Sequence, residues 1–357
     1  MTRQEAMFNS TTKTVEIQCY KLEYIFILEG WHYAAFLTIS FLYILVAIPT
    51  VILNLATLSV FLSKRYRKFP STIFIINNTV ADLLTGILAM PLGGSNLFII
   101  VLERRSICVF YATTIFLGFV FCVFSFLAVF YITVDRFFAI FHPFKYSSKD
   151  WNSVFLGINL FSWIFTVCLV ASSFLFKGFR PTMLFLSVQP IIVTINAILL
   201  LLVWRTIKRI RKSDLGQLRS SVKTSDVQFQ KNSIDVNLER TSSNKEAVNK
   251  ERLKVRREDR RATVMTTLML VSVVICYLPY FTIAIWWAMD KNYPEMTYTL
   301  GGIAQFLAPV KALVNPLLYV YTMKSVRLKI KKVILRKKIG ILEEATTTHF
   351  TRVNSHL

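Results

Sequence analysis

The sequence predicts an all-α membrane protein, in which seven transmembrane helices form a bundle and an amphipathic eighth helix follows them. Of the 357 residues, 54% are hydrophobic and 30 are Phe, and the mean hydropathy is +0.50. Ordinary soluble domains are less apolar and carry more charge. A helical span needs about 20 mostly apolar residues, and the chain contains seven apolar runs long enough to cross a bilayer.

The apolar runs divide the chain into three parts: an exposed tail at 1–32, the helices at 33–335 and a second tail at 336–357. Residues 212–250 are rich in Ser, Asn, Lys and Asp, which predicts a disordered loop. Residues 323–338 alternate basic and aliphatic side chains, which predicts an amphipathic helix on the membrane lipid surface. The first five predicted spans are 33–62, 71–100, 108–141, 152–176 and 183–210, and the seventh is 297–321. The sixth continues a charged helix that begins at about 249, and it ends near 287.

The basic residues predict how the helices are oriented. A net charge of +22 would suggest nucleic acid as a partner of a soluble protein. Here most of the 42 Lys and Arg residues lie in segments on one side of the membrane, so no nucleic-acid partner is expected. The positive-inside rule then predicts an extracellular N-terminus and a cytoplasmic C-terminus. The first thirty residues lack an apolar h-region, so no cleavable signal peptide is predicted.

Polar groups inside apolar runs point to inward-facing positions. Asn54 lies within the first span, where a lipid-facing amide is unfavourable and an inward partner is expected. Asp135 and Arg136 stand side by side at the end of the third run. Because a charge pair is unfavourable by several kcal/mol at membrane depth, this pair belongs at a boundary or has a function. Pro143 then ends the helix.

Taken in order along residues 33–335, these motifs resemble those of rhodopsin-like (class A) G-protein-coupled receptors. Asp135-Arg136 resembles the family's Asp-Arg-Tyr triplet, with Phe137 in place of Tyr, and residues 315–319 carry the Asn-Pro-x-x-Tyr motif intact. The other matching residues are Asn54 in helix one, Asp82 in helix two, Ser125 in helix three, Trp163 in helix four, and Tyr277 and Pro279 in helix six, where Tyr277 replaces the usual Trp.

The resemblance implies a multi-pass receptor of the plasma membrane that transmits the binding of an extracellular ligand to a heterotrimeric G protein. It implies no enzyme activity, and neither a cofactor nor a metal is expected. In the resting state Arg136 would pair with Asp135 and with Asp259 at the base of helix six, and it would meet the G protein once helix six swings outward. The other residues of this switch would be Tyr277, Pro279, Asn315, Pro316 and Tyr319.

The cysteines depart from the family pattern. The family joins a Cys near the outer end of helix three to a Cys in the second outer loop, but Tyr111 stands at that place in helix three. Cys108 lies one helical turn further out, and the outer loop at 177–182 contains no Cys. Either Cys108 pairs with Cys19 or both are free thiols, and the pairing is the preferred alternative.

The expected ligand follows from the same comparison. Gly118 stands where amine receptors carry an Asp, and Pro309 stands where opsins carry their retinal-binding Lys, so neither ligand is expected. The ligand pocket implied by the family consists of Gly118, Cys122, Tyr280, Phe281 and Gln305. These side chains are mostly apolar or weakly polar, which favours a lipid or a small neutral molecule, with a peptide as the alternative.

An internal polar pocket is implied at Asn54, Asp82, Ser125, Lys311 and Asn315. In the family, residues at the last four of these places surround a sodium ion, and a neutral polar residue usually stands where this chain has Lys311. The hypothesis is that Lys311 replaces sodium as the counter-ion of Asp82 and ties helix two to helix seven. The alternatives are that Lys311 snorkels or contacts the ligand.

A different class of protein, a secondary transporter, would use Asp82 and Lys311 as a proton relay. The odd number of spans and the lack of a visible inverted repeat argue against it.

Three short motifs suggest further features. Asn9-Ser10-Thr11 is a glycosylation sequon, Ser355-His356-Leu357 fits capture of a terminal carboxylate by a PDZ protein, and the Thr residues upstream of it are candidate phosphorylation sites for arrestin recruitment.

Overall fold

A computed structural model describes residues 7–9, 14–19, 22–63, 72–148, 151–175, 189–210, 212, 260–283, 285–286, 294–324 and 326–332. Within these ranges seven helices are long and apolar enough to cross a membrane, so the prediction of a seven-helix bundle is confirmed. They are α1 (Gly30–Phe61), α2 (Thr72–Glu103), α3 (Cys108–Phe141), α4 (Asn152–Leu175), α5 (Gln189–Ile210), α6 (Arg260–Ile283) and α7 (Pro294–Thr322).

Helix α2 is interrupted near its middle. A π-helical turn, Thr85–Ala89, separates an α-helical half, Thr72–Leu84, from a second half that begins at Met90. Pro91 follows immediately and has no N–H to donate to the preceding turn, so the wider turn accommodates its ring.

The bundle core is built from aromatic and branched aliphatic side chains. Its largest buried cluster takes residues from all seven helices and includes Phe74, Phe126, Met269 and Tyr319. At Gly94 a Cβ atom would lie only 2.9 Å from the backbone oxygen of Ser40, so α1 and α2 approach closely there. The long apolar residues exposed on the helices face outward, as expected where lipid replaces water.

The first part of the chain is not only an exposed tail. Strands β1 (Met7–Asn9), β2 (Thr14–Cys19) and β3 (Leu22–Ile27) form an antiparallel sheet in the order β1-β2-β3. Val15 and Ile17 are 0% and 2% exposed, because alternate residues of a strand point to one face of a sheet. The expectation of an exposed tail over residues 1–32 is therefore wrong for these strands.

The sheet covers one end of the bundle, which we call the sheet end. Strand β2 contacts α3 and β3 contacts α7. Val15, Ile17 and Phe26 belong to the same buried cluster as Phe36 of α1 and Tyr111 of α3. The sheet is thus anchored by apolar burial against three helices as well as by its own backbone pairing.

At the opposite end, short helical segments follow α3 and α7. Pro143–Ser148 forms a helix directly after α3, so Pro143 begins a new helix as well as ending the previous one. Residues 326–332, which follow α7, are helical and cover half of the predicted amphipathic helix. There Lys329 Nζ donates to the backbone oxygen of Ser59 at 2.6 Å.

Several predictions fall outside the part of the chain that the structure describes. They concern the loop predicted at 212–250 beyond residue 212, the loop at 177–182, Asp259, the amphipathic helix beyond residue 332 and the tail at 336–357.

Candidate functional site

Asp82 lies at the centre of a buried polar network. It belongs to α2 and is only 2% exposed. Its Oδ2 accepts one hydrogen bond from Asn78 Nδ2 at 2.9 Å and another from Asn315 Nδ2 at 2.6 Å. Asn78 lies one turn earlier on α2, whereas Asn315 comes from α7, so a single carboxylate oxygen connects the two helices.

Lys311 brings a positive charge into the same network. It is 1% exposed, and its Nζ lies 3.8 Å from Asp82 Oδ1. The Nζ also donates to Asn78 Oδ1 at 3.5 Å and to the Ser125 hydroxyl on α3. A buried charge is tolerated only when it is paired and hydrogen-bonded. The arrangement meets both conditions and joins α2, α3 and α7 around one ion pair.

Asn54 extends the network to α1. Its Nδ2 donates to the backbone oxygens of Thr50 at 2.9 Å and of Ala312 at 3.0 Å, so α1 is joined to α7 beside Lys311. Among the described residues, the Oδ1 atoms of Asn54 and Asn315 are buried and accept no hydrogen bond. Buried acceptors of this kind commonly bind ordered water. The predicted internal polar pocket is thus assembled from four helices.

A cavity opens onto this network. It encloses ≈ 780 Å³ of empty space, a figure that includes its part open to solvent. Thr114 and Ser125 both line it and are eleven residues apart on α3, so it reaches about 16 Å along that helix. Tyr43 and Gly93 line its part nearer the sheet end, and Asp82, Ser125 and Lys311 form its floor. The cavity and the polar network therefore share side chains.

The predicted ligand residues divide between the cavity and the core. Gly118, Cys122, Tyr280 and Gln305 all line the cavity. Phe281 does not, and it packs against the buried cluster of the bundle instead. Adjacent residues of a helix point in directions about 100° apart, so Tyr280 and Phe281 cannot both face one cavity closely.

The Asp135–Arg136 pair lies at the end of the bundle opposite the sheet. Arg136 Nη2 and Nε donate to Asp135 Oδ2 at 2.6 and 3.0 Å. The Tyr146 hydroxyl donates to the other oxygen, Oδ1, at 2.6 Å. The Asp135 side chain is fully buried and that of Arg136 is 15% exposed. The guanidinium is therefore held at the surface of the bundle by a carboxylate fixed from two sides.

Two aromatic residues of the predicted switch lie within the core. Tyr277 on α6 is 3% exposed, lines the cavity and packs its ring 4.5 Å from that of Phe126. Tyr319 on α7 is completely buried, and its hydroxyl accepts a weak hydrogen bond from Asn78 Nδ2 at 3.5 Å. Pro316 lies within α7, three residues before Tyr319.

Sequence reasoning missed polar contacts that join two pairs of helices. Trp163 Nε1 donates to Asn77 Oδ1 at 2.9 Å, and Asn77 Nδ2 donates to Asn159 Oδ1 at 2.5 Å, so α2 is joined to α4. Trp204 Nε1 donates to Thr267 Oγ1 at 3.0 Å and joins α5 to α6. Asn77 was detectable as a polar residue in an apolar run, but its partner depends on how the helices pack.

Two predicted sites concern the sheet end. Cys108 is disulfide-bonded, whereas Cys122, Cys168 and Cys276 are free thiols. The backbone of Cys19 ends β2, and its side chain lies outside the described part, so its pairing with Cys108 stays a prediction. Asn9 ends β1, and its backbone pairs with Thr14. Its side chain is likewise outside the described part.

Seven spanning helices, a buried polar network with an adjoining cavity, and an Asp–Arg pair at the end of α3 define the class of seven-helix receptors. The sequence model for the 7 transmembrane receptor (rhodopsin family) matches residues 53–183 and 181–319. The chain belongs to this family.

Opsins are among the similar individual proteins, and the similarity is partial. The chain is 26% identical over 97 residues to the blue-sensitive opsin of Carassius auratus. It is 29% identical over 97 residues to Opsin-1, short-wave-sensitive 2, and 29% identical over 89 residues to Opsin-1, short-wave-sensitive 1, both from Danio rerio. These matches cover 25–27% of this chain and 26–27% of the relatives, so the chain spans about a quarter of their length.

Membership of this family decides between a receptor and a secondary transporter. Receptors of this family are multi-pass proteins of the plasma membrane and are generally not enzymes. The alternative of a secondary transporter is not favoured.

Proposed function

We propose that this receptor converts the binding of an extracellular ligand in the cavity into activation of a heterotrimeric G protein. The observation that carries the proposal is that Asp82, Ser125 and Lys311 belong both to the cavity floor and to the buried network. A ligand that displaces Asp82, Ser125 or Lys311 also disturbs the hydrogen bonds that join α2, α3 and α7. Asn78 extends this coupling to Tyr319, which lies nearer the opposite end of the bundle.

The ligand is proposed to be a lipid or a small neutral molecule. Apart from Asp82 and Lys311, which are paired with each other, the cavity lining is uncharged and largely apolar or aromatic. A peptide is the alternative, and it would have to enter past the sheet.

Arg136 is proposed to make the contact with the G protein. Its guanidinium is partly exposed at the end of the bundle and is paired with Asp135. Movement of α6 would release it for an intermolecular contact. Asp259, the second resting-state partner expected from the family, lies outside the described residues.

The decisive experiment is nucleotide exchange on a purified G protein, stimulated by membranes that contain the full-length receptor. Fractionated lipid, small-molecule and peptide libraries supply the candidate ligands. An active fraction should stimulate exchange through the wild-type receptor, and Arg136→Ala should abolish the stimulation while surface expression is retained. The matched control is Arg105→Ala, which removes an exposed Arg at the other end of the bundle. Full stimulation through Arg136→Ala would refute the role of Arg136, and activity confined to peptide fractions would refute the ligand class.

The opsin relatives suggest retinal as a rival ligand. Pro309, which occupies the place of the opsin lysine, cannot form an imine, and Lys311 is already engaged by Asp82, Asn78 and Ser125. Retinal added to the purified receptor should therefore give no absorption band beyond that of free retinal. A red-shifted band in the wild-type protein that is absent from Lys311→Met would show that retinal binds through Lys311, and it would refute the present proposal.

The sheet end is proposed to face the extracellular side, and the helical segment at 326–332 to lie on cytoplasmic membrane lipid. The basic residues of loop one, which connects α1 to α2, support this orientation. An epitope placed before residue 1 should bind antibody on unpermeabilised cells. If the sequon is glycosylated, Asn9→Gln should increase gel mobility by as much as glycosidase treatment of the wild-type protein does.

A further inference from the structure

The family implies a sodium ion beside Asp82, and the residues of this chain do not fit one. A sodium ion is held by oxygen ligands. Here the Ser125 hydroxyl oxygen and Asn78 Oδ1 both accept hydrogen bonds from Lys311 Nζ, and Asp82 Oδ2 accepts from two amides. The other carboxylate oxygen, Asp82 Oδ1, faces the same ammonium at 3.8 Å, which leaves the amide oxygens of Asn54 and Asn315 as the acceptors of the described network without a hydrogen bond.

Electrostatics oppose a second cation in the same place. A sodium ion bound to Asp82 Oδ1 would lie within a few Å of Lys311 Nζ, in an interior where charges are weakly screened. One carboxylate cannot compensate two buried positive charges. Among the described residues that form this network, Asp82 is the one acidic side chain.

We propose that Lys311 is a built-in cation that permanently occupies the place of sodium at Asp82. It holds α2, α3 and α7 in one arrangement, and the stability of the receptor does not depend on sodium. The proposal deepens the proposed function, since Asp82 and Lys311 also form the floor of the cavity. A ligand therefore acts on an internal ion pair and not on an exchangeable ion.

The position of Lys311 on α7 explains why the ammonium stays in place. Lys311 lies one turn before Asn315 on the same face of the helix. Asn315 donates to Asp82 Oδ2, so the same carboxylate is held at both oxygens from one helix. Because only 1% of the Lys311 surface is exposed, breaking the pair would leave two unpaired buried charges, which is unfavourable.

The first test measures the melting temperature of the purified full-length receptor in detergent. Sodium chloride is compared with choline chloride at constant ionic strength. The wild-type protein should melt at the same temperature in both salts. A ligand that binds only the folded state raises the melting temperature as its concentration increases. A sodium-dependent rise in the wild-type protein would therefore overturn the proposal, whatever the variants do.

The second test opens the site to sodium. Lys311→Ser removes the ammonium and supplies a neutral hydroxyl, so its melting temperature should be higher in sodium chloride than in choline chloride. Adding Asp82→Asn should abolish that difference. Lys331→Ser is the matched control, because it removes an exposed Lys elsewhere in the chain and should show no sodium response.

The variants remain informative if Lys311→Ser folds poorly. The double variant with Asp82→Asn should then give more folded protein, because it no longer contains an unpaired buried carboxylate. If Lys311 instead only contacts a ligand, Lys311→Ser should fold normally and show no sodium response, and that result would contradict the proposal. No G protein takes part in these measurements. The sodium proposal can therefore fail while the coupling experiment succeeds, and the coupling proposal can fail while the sodium measurements succeed.

Discussion

The hydroxyl of Tyr146 donates to Asp135 Oδ1 at 2.6 Å, on the opposite side of the carboxylate from Arg136. Tyr146 belongs to the short helix that follows α3, eleven residues after Asp135. The side chain that holds Arg136 is therefore itself positioned by the connection between α3 and α4.

Tyr146→Phe removes this hydrogen bond and leaves the ring. A hydrogen bond to a charged group contributes about 1.5–3 kcal/mol, so Asp135 should hold Arg136 less firmly. We expect basal nucleotide exchange on the G protein to rise severalfold without loss of surface expression. Tyr321→Phe is the control, because Tyr321 is 75% exposed. Equal basal exchange in the wild-type receptor and Tyr146→Phe would show that this contact does not restrain Arg136.

Lys311 and Asp82 should behave as a coupled pair in a double-mutant cycle. Removing one partner of a buried ion pair typically destabilises a protein by about 3–5 kcal/mol, because the other charge is left unpaired. Lys311→Met and Asp82→Asn should each lower the melting temperature and the yield of folded receptor. The double variant should be more stable than either single variant. Additive losses in the double variant would mean that the two side chains do not stabilise each other.

Cys108 should be joined to Cys19 by its disulfide. Peptide mapping of the unreduced protein should recover one cross-linked peptide that contains both residues. Cys108→Ser should lower stability by about 2–5 kcal/mol, the usual effect of removing a native disulfide, because the sheet would lose its covalent attachment to α3. Cys168→Ser, which changes an exposed free thiol, should have little effect. A cross-link to any other cysteine would refute the pairing.

The membrane-spanning architecture was predictable from the sequence because the bilayer imposes it locally. A segment that crosses the hydrocarbon core must satisfy its backbone within a helix and must be apolar over about 20 residues. The limits of α3 were therefore predicted correctly at both ends, Cys108 and Phe141. The residues that would meet inside the bundle, such as Asp82 and Asn315, were also recognisable, since polar groups in a span have few other places to lie.

The N-terminal sheet was not predicted, although the signal was present in β2. Residues 14–19 alternate between polar and apolar side chains, but six residues are too few to outweigh the polar composition of the segment around them. Strands this short become stable only when their apolar face is covered. Here Val15 and Ile17 are covered by the ends of helices far along the chain.

The seven spans, the polar interior and the Asp–Arg pair at the end of α3 are visible in the residue pattern alone, and so is the pairing of Lys311 with Asp82. Other contacts, such as those of Tyr146 with Asp135 and of Asn77 with Trp163, appear only once the helices are packed. The difference comes from the range over which the interactions act. Exclusion of water acts on each segment separately and leaves a pattern in the sequence, whereas a hydrogen bond between helices requires two side chains from distant segments to be placed within about 3 Å.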